Sequence, residues 1–182
     1  MSSHSQLLVH PLEFHYSLQN RFLPQWTPID AGQIPEPHRG LLVHTRDMTS
    51  TLERFFGDKI RIRPLSQSQQ GDQYTREVIL ELIGSGRPIE FGASLIHLNR
   101  LPDELWEPIL EAQRPFGGIL NEARFHYESR PVGYFQMLVD SFIATALQVD
   151  PKTLPLYGRQ NRLFDSNQNA LAEITEILPP LP

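Results

Sequence analysis

The chain has 182 residues, 40% hydrophobic and 20% charged, with a formal charge of −5. That is an ordinary balance for a soluble globular domain with one core, and it leaves no basic footprint for nucleic acid. No apolar run is long enough to span a membrane, and the absence of cysteine excludes disulfides, thiolate nucleophiles and cysteine-type zinc sites.

The start, "MSSHSQLLVHPLEF", lacks the basic residues and long apolar segment of a secretory signal, so a cytoplasmic location is expected. Four prolines break "FLPQWTPIDAGQIPEPHRG" (Phe22–Gly40). Residues 1–40 are therefore expected as an irregular or extended arm that wraps one domain spanning 1–182, because Phe22, Leu23 and Trp26 need burial. "TRDMTSTLERFFGDK" predicts a helix, with Asp47 or Thr49 as cap, a stripe of Leu52, Phe55 and Phe56, and Gly57 as its end. "KIRIRPLSQ" and "QYTREVILELIG" alternate as strands, "GSGRP" is a turn, and "PIEFGASLIHL" is the returning hairpin strand. "LPDELWEPILEAQ" predicts a helix with Pro102, Asp103 and Glu104 at its start, and "RPFGGIL" a loop. "ARFHYES", "VGYFQMLV" and "LYGRQNRLF" read as strands, and the second half of "YFQMLVDSFIATALQVD" as a helix. The run "GRQNRLFDSNQNALAEITEIL" is a hairpin around "DSNQN". Hairpin-linked strands with helices outside predict an α+β fold around a largely antiparallel sheet.

Two of these strands each place a charge among apolar residues. In "YTREVILEL", Tyr74, Arg76, Val78, Leu80 and Leu82 share one face, while Thr75, Glu77, Ile79 and Glu81 share the other. The face with two glutamates is expected to be solvated, which puts Arg76 on the core side. In "ALAEITEIL", Glu176 shares its parity with Ala172, Ile174 and Leu178. An unpaired buried ion costs several kcal/mol, so each charge needs a partner. Either Arg76 and Glu176 pair with each other, or one strand twists to a wet edge, or the two are poles of a pocket. In the last case Arg76 clamps a ligand carboxylate and Glu176 accepts from a ligand hydroxyl. Periodicity leaves all three open.

Other signals are weaker. The seven histidines show no metal-ligand spacing, no serine sits in a nucleophile elbow, and the glycines of "GSGRP" precede a strand and not a helix. No metal and no cofactor are expected. Met48 and Phe116 read most simply as core residues, and Arg159 and Arg162 as surface strand charges.

The ordered set "RDMTSTLERFFGDKIRIRPLSQ", "YTREVILEL", "RPFGGIL", "LYGRQNRLF" and "ITEILPPLP", from about Leu41 to Leu178, resembles the chorismate pyruvate-lyase family, in particular its cyanobacterial type. The resemblance implies a six-stranded antiparallel sheet with helices outside and flaps over a buried ligand. It also implies a cofactor-independent carbon–oxygen lyase that releases pyruvate from chorismate, giving 4-hydroxybenzoate for ubiquinone or plastoquinone biosynthesis. By that resemblance Arg76 holds the ring carboxylate and Glu176 the ring hydroxyl, both as catalytic residues. Backbone groups at Met48 and Phe116 assist in binding substrate, and Arg159 or Arg162 offers a second cation. The expected partners are small molecules, with no nucleic acid and no membrane span, and the chain is expected to be monomeric. The first forty residues show no clear match to the family, and the segment 127–154 is longer than in its proteobacterial enzyme. An alternative of a different class is a non-catalytic, small-acid effector-binding domain of the same fold.

Overall fold

Seven strands form one antiparallel sheet: β1 (Trp26–Ile29), β2 (Ile60–Gln70), β3 (Gln73–Leu82), β4 (Pro88–His97), β5 (Glu128–Met137), β6 (Leu156–Phe164) and β7 (Ala170–Leu178). Their spatial order is β1-β5-β6-β7-β4-β3-β2. The structure, a computed structural model, describes residues 7–152 and 155–181. Tight turns with Gly71 and Gly86 at positive φ (58° and 70°) join β2 to β3 and β3 to β4, as the alternating runs and glycine signals require. β6 and β7 close the chain as the expected hairpin.

Six helices of five to nine residues cover the sheet: α1 (Leu12–Leu18), α2 (His38–Leu42), α3 (Met48–Phe56), α4 (Trp106–Leu110), α5 (Phe116–Glu122) and α6 (Ser141–Leu147). α3 follows its sequence signals closely. The Asp47 side chain caps it by accepting from the Ser50 amide at 2.8 Å, and Gly57 ends it at φ 67°.

Four expectations need correction. The arm is not irregular: it contributes α1, α2 and the seventh strand, β1. Pro28 is tolerated there because β1 is an edge, where a missing N–H breaks no ladder on the open side. Leu23 and Trp26 pack on the core, but Phe22 is 97% exposed. The "RPFGGIL" loop is the start of α5, because burial of Phe116, Ile119 and Leu120 outweighs the poor helix propensity of two glycines. The helix expected at Leu101–Gln113 is a 3-10 turn (Asp103–Leu105) followed by the short α4. Of "ARFHYES" only Glu128 and Ser129 are strand, and they join Val132–Met137 of "VGYFQMLV" in one strand, β5, bent by a bulge between Pro131 and Gly133.

A further correction concerns the sheet faces. The face expected to be solvated is covered by α1 and α6, which pack Leu12, Tyr16 and Ile143 against Ile79, Phe91 and Phe135. Glu77 is fully buried beneath them. It accepts from the Gln19 amide and the Ser66 hydroxyl, each at 2.7 Å, and pairs with Arg21 at 3.2 Å. Glu81, also buried, pairs with Arg61 and Arg63. On the opposite face the core is split. One cluster joins Met48 and Leu52 of α3 to Val78 and Leu80; another joins Phe116, Ile119 and Leu120 of α5 to Tyr74 and Leu163.

Candidate functional site

Between the two clusters lies a cavity with about 630 Å³ of empty space, counting its opening to solvent. Its floor is the sheet, and strand register orders the floor into rows. Arg76, Ser94, Ile174 and Asn161 form the first row across β3, β4, β7 and β6. Val78, Gly92, Glu176 and Arg159 form the second. Leu80 and Glu90 form the third. α3 and α5 supply the walls through Met48, Thr49, Phe116 and Gly117, with Arg46, Asp47 and Tyr127 beside them.

Arg76 is 3% exposed. Its Nη1 has no hydrogen-bond partner among the described residues, and its Nη2 reaches only the Arg114 carbonyl, at the outer limit of 3.5 Å. Burial lowers its pKa, and the neighbouring Tyr74 opposes that shift. A buried guanidinium left unpaired in this way costs several kcal/mol, which an anion in the cavity would offset. The first-turn amides of α3, including those of Met48 and Thr49, border the same space, and such amides have no partner within the helix. Met48 and Phe116 thus both line the cavity, each as the first residue of a helix. Gly117 lets those two helix starts approach, since a Cβ there would collide with Asp47 Oδ1.

Glu176 is 4% exposed and lines the second row. It does not pair with Arg76. Its partner is Arg159, directly opposite on β6, whose Nε donates to Glu176 Oε2. Arg159 is fully buried, and its Nη1 also donates to the carbonyls of Leu42 and His44, each at 3.0 Å. His44, beside it, is pushed down to about 4, first by burial and then by the Arg159 charge. Arg159 does not line the cavity, and Arg162 faces the other side of the sheet, 3.3 Å from Glu173. The expectation that either supplies a second cation is corrected: both are held by glutamates across the β6–β7 ladder.

The sequence reading passed over Glu90. It is 3% exposed, its Oε2 has no partner among the described residues, and burial pushes its carboxyl well above the usual carboxylate range. Glu176 adds to that shift, Arg159 opposes it, and Asp47 adds again. Its parity mates on β4 are Pro88, Gly92, Ser94 and Ile96, a set that looks solvent-facing, so alternation disguised it as a surface residue. Asn161 and Ser129, hydrogen-bonded to each other at 3.0 Å, also line the cavity and carried no signal beyond strand polarity.

No family model matches the chain, and no curated protein matches it. Among solved structures it is similar to PhnF from Mycobacterium smegmatis, over 92% of each chain, with a TM-score of 0.59 and 12% identity. The effector domain of the same protein aligns with 75% of this chain and 90% of its own, at TM-score 0.56 and 12% identity. The SA0254 gene product of Staphylococcus aureus aligns over 76% and 90%, at TM-score 0.57 and 10% identity. At such identity the likeness is one of fold, which is the chorismate-lyase-like α+β fold. The activity expected from the sequence resemblance is corrected by the same finding. The fold is shared with what is described as the effector domain of PhnF, and a fold does not by itself bring lyase chemistry with it. Release of pyruvate from chorismate, and the quinone pathways that would use the product, are not retained. No described helix is long and apolar enough to cross a membrane.

Proposed function

We propose that this chain is a non-catalytic, small-acid effector-binding domain. The observation that carries the reading is Arg76, a buried guanidinium with an unpartnered nitrogen lining a cavity between α3, α5 and the sheet. Arginine holds a carboxylate through two parallel hydrogen bonds, and the first-turn amides of α3 favour negative charge in the same space. Val78, Leu80, Met48, Phe116, Leu163 and Ile174 make the walls around it apolar. The fitting ligand is therefore a compact acid with an apolar body, and its far pole meets Glu176 and Glu90. The described effector domain of PhnF shares the fold, which supports a binding role over a purely structural one.

Calorimetry and thermal unfolding with benzoate and 4-hydroxybenzoate test this. Binding should stabilise the protein by about 2.7 kcal/mol at a hundredfold excess over Kd, with both acids recovered unchanged. Arg76→Met should weaken binding by about thirtyfold or more, since truncating a buried charge partner costs roughly 2–5 kcal/mol. Absence of binding by either acid, or equal binding by Arg76→Met, would overturn the reading.

A further inference from the structure

We propose that Glu90 is a specificity-determining residue of this cavity, donating a hydrogen bond from a neutral carboxyl group to an uncharged ligand oxygen at the end away from Arg76. The inference rests on the small-acid reading of the site and adds the chemistry of its second pole.

Position is the first argument. Glu90 pairs in register with Leu80, four residues along β3 from Arg76, so their rows lie about 13 Å apart along the strands. A ligand whose acid group meets Arg76 therefore directs its other end towards Glu90 and Glu176.

Charge balance is the second. The charged groups acting on Glu90 are Glu176 from β7, Arg159 from β6 and Asp47 from the start of α3. Arg159 is engaged by Glu176 and by two carbonyls, with only its Nη2 unpartnered, and Arg76 stands two rows away. No described cation forms an ion pair with Glu90, and a buried carboxylate without one neutralises by holding its proton. The strong upward displacement of its titration by burial agrees with this.

Donor and acceptor inventory is the third. A protonated carboxyl has one O–H to give, and Glu90 Oε2 is buried without a partner. Glu176 presents an acceptor whose Oε2 is taken by Arg159, while no described residue donates to its Oε1. Together they offer one donor and one acceptor, which a single hydroxyl group satisfies at once. A hydroxy acid thus fits the cavity better than the same acid without its hydroxyl.

The test compares benzoate with 4-hydroxybenzoate in calorimetry on the full chain. In the wild type the hydroxyl should improve affinity by roughly tenfold, the scale of a hydrogen bond to a charged partner. Glu90→Gln, whose amide still donates, should keep that advantage. Glu90→Leu should lose that advantage, read as the ratio of the two affinities measured in the same variant. Raising the pH through the ionisation of Glu90 should erode the advantage in the wild type and not in Glu90→Gln. An undiminished advantage in Glu90→Leu overturns the proposal; should that variant fail to fold, identical pH profiles for wild type and Glu90→Gln overturn it instead. Failure of the wild type to bind either acid overturns the small-acid reading, and this inference with it.

Discussion

Arg76 and Glu77 are neighbours in the chain, both buried, and they face opposite sides of the sheet. Glu77 lies under α1 and α6 and is met by Arg21, Gln19 and Ser66. Arg76 lies under the gap between α3 and α5 and meets one distant carbonyl. On the packed side, Arg21 is itself seated over the rings of Phe142 and Tyr16, at 3.6 and 4.3 Å, so the counterion is built into the hydrophobic layer. That side keeps unpartnered atoms too, among them Arg21 Nε and Nη1 and the amide of Gln160, but the Arg21 guanidinium has a carboxylate, Glu77, within 3.2 Å. On the cavity side Arg76 has no carboxylate partner and Glu90 Oε2 no donor among the described residues. The contrast separates structural polarity, closed by residues of the chain itself, from binding polarity, which needs a visitor.

Removing one charge from each side should expose the difference most strongly. Glu77→Ala should cost about 3–5 kcal/mol in urea unfolding, because it strands Arg21 within a packed layer. Arg76→Met should leave unliganded stability unchanged or slightly raised while weakening acid binding by about thirtyfold or more. If Arg76→Met proves as destabilising as Glu77→Ala, the distinction between the two faces fails.

A smaller effect probes how tightly the packed side is filled. Gly158 lies where a Cβ would collide with the Phe135 ring and come within 2.7 Å of the Glu176 carbonyl oxygen. Backbone cannot yield as a side-chain tip does, so Gly158→Ala should cost about 1–3 kcal/mol in the same measurement. Wild-type stability in that variant would mean that the ladder between β6 and β7 is looser than described.

The smallest effect is electrostatic. His10, just before α1, is raised to about 9 by its hydrogen bond to Glu13, then by that to Glu173. Its folded value lies above its unfolded value of 6.5. The stabilisation is therefore complete below 6.5 and is lost as pH rises through about 9. The urea midpoint should fall across that window by an amount worth under about 1 kcal/mol, as for other partly exposed pairs. His10→Gln should flatten this part of the profile, and an unaltered slope would remove His10 from the docking of α1.

Much of the fold was legible because its signals are local. Pleat alternation put Arg76 and Glu176 each among the apolar residues of its strand, the glycines of "GSGRP" marked the turn between β3 and β4, and Asp47 with Gly57 bounded α3. The errors came where distant packing overrode local preference. Two glycines did not stop α5, because Ile119 and Leu120 had a core to enter. The proline-rich arm became helices and an edge strand, because its apolar residues could complete the sheet and cover it. Glu90 was missed because alternation labels a face without saying what lies over it.

By itself, then, the sequence determined the strands β2, β3, β4, β6 and β7, the helices α3 and α6, and the side of the sheet on which each residue of those strands stands. Both follow from a repeat every two or three to four residues, a property of the local backbone. Tertiary structure alone decided which charges are satisfied. It set Arg159 opposite Glu176, brought Arg21 across from the arm to Glu77, and left Arg76 without a counterion among the described residues. Pairing of buried charge depends on contacts between residues far apart in the chain, and no local period encodes those.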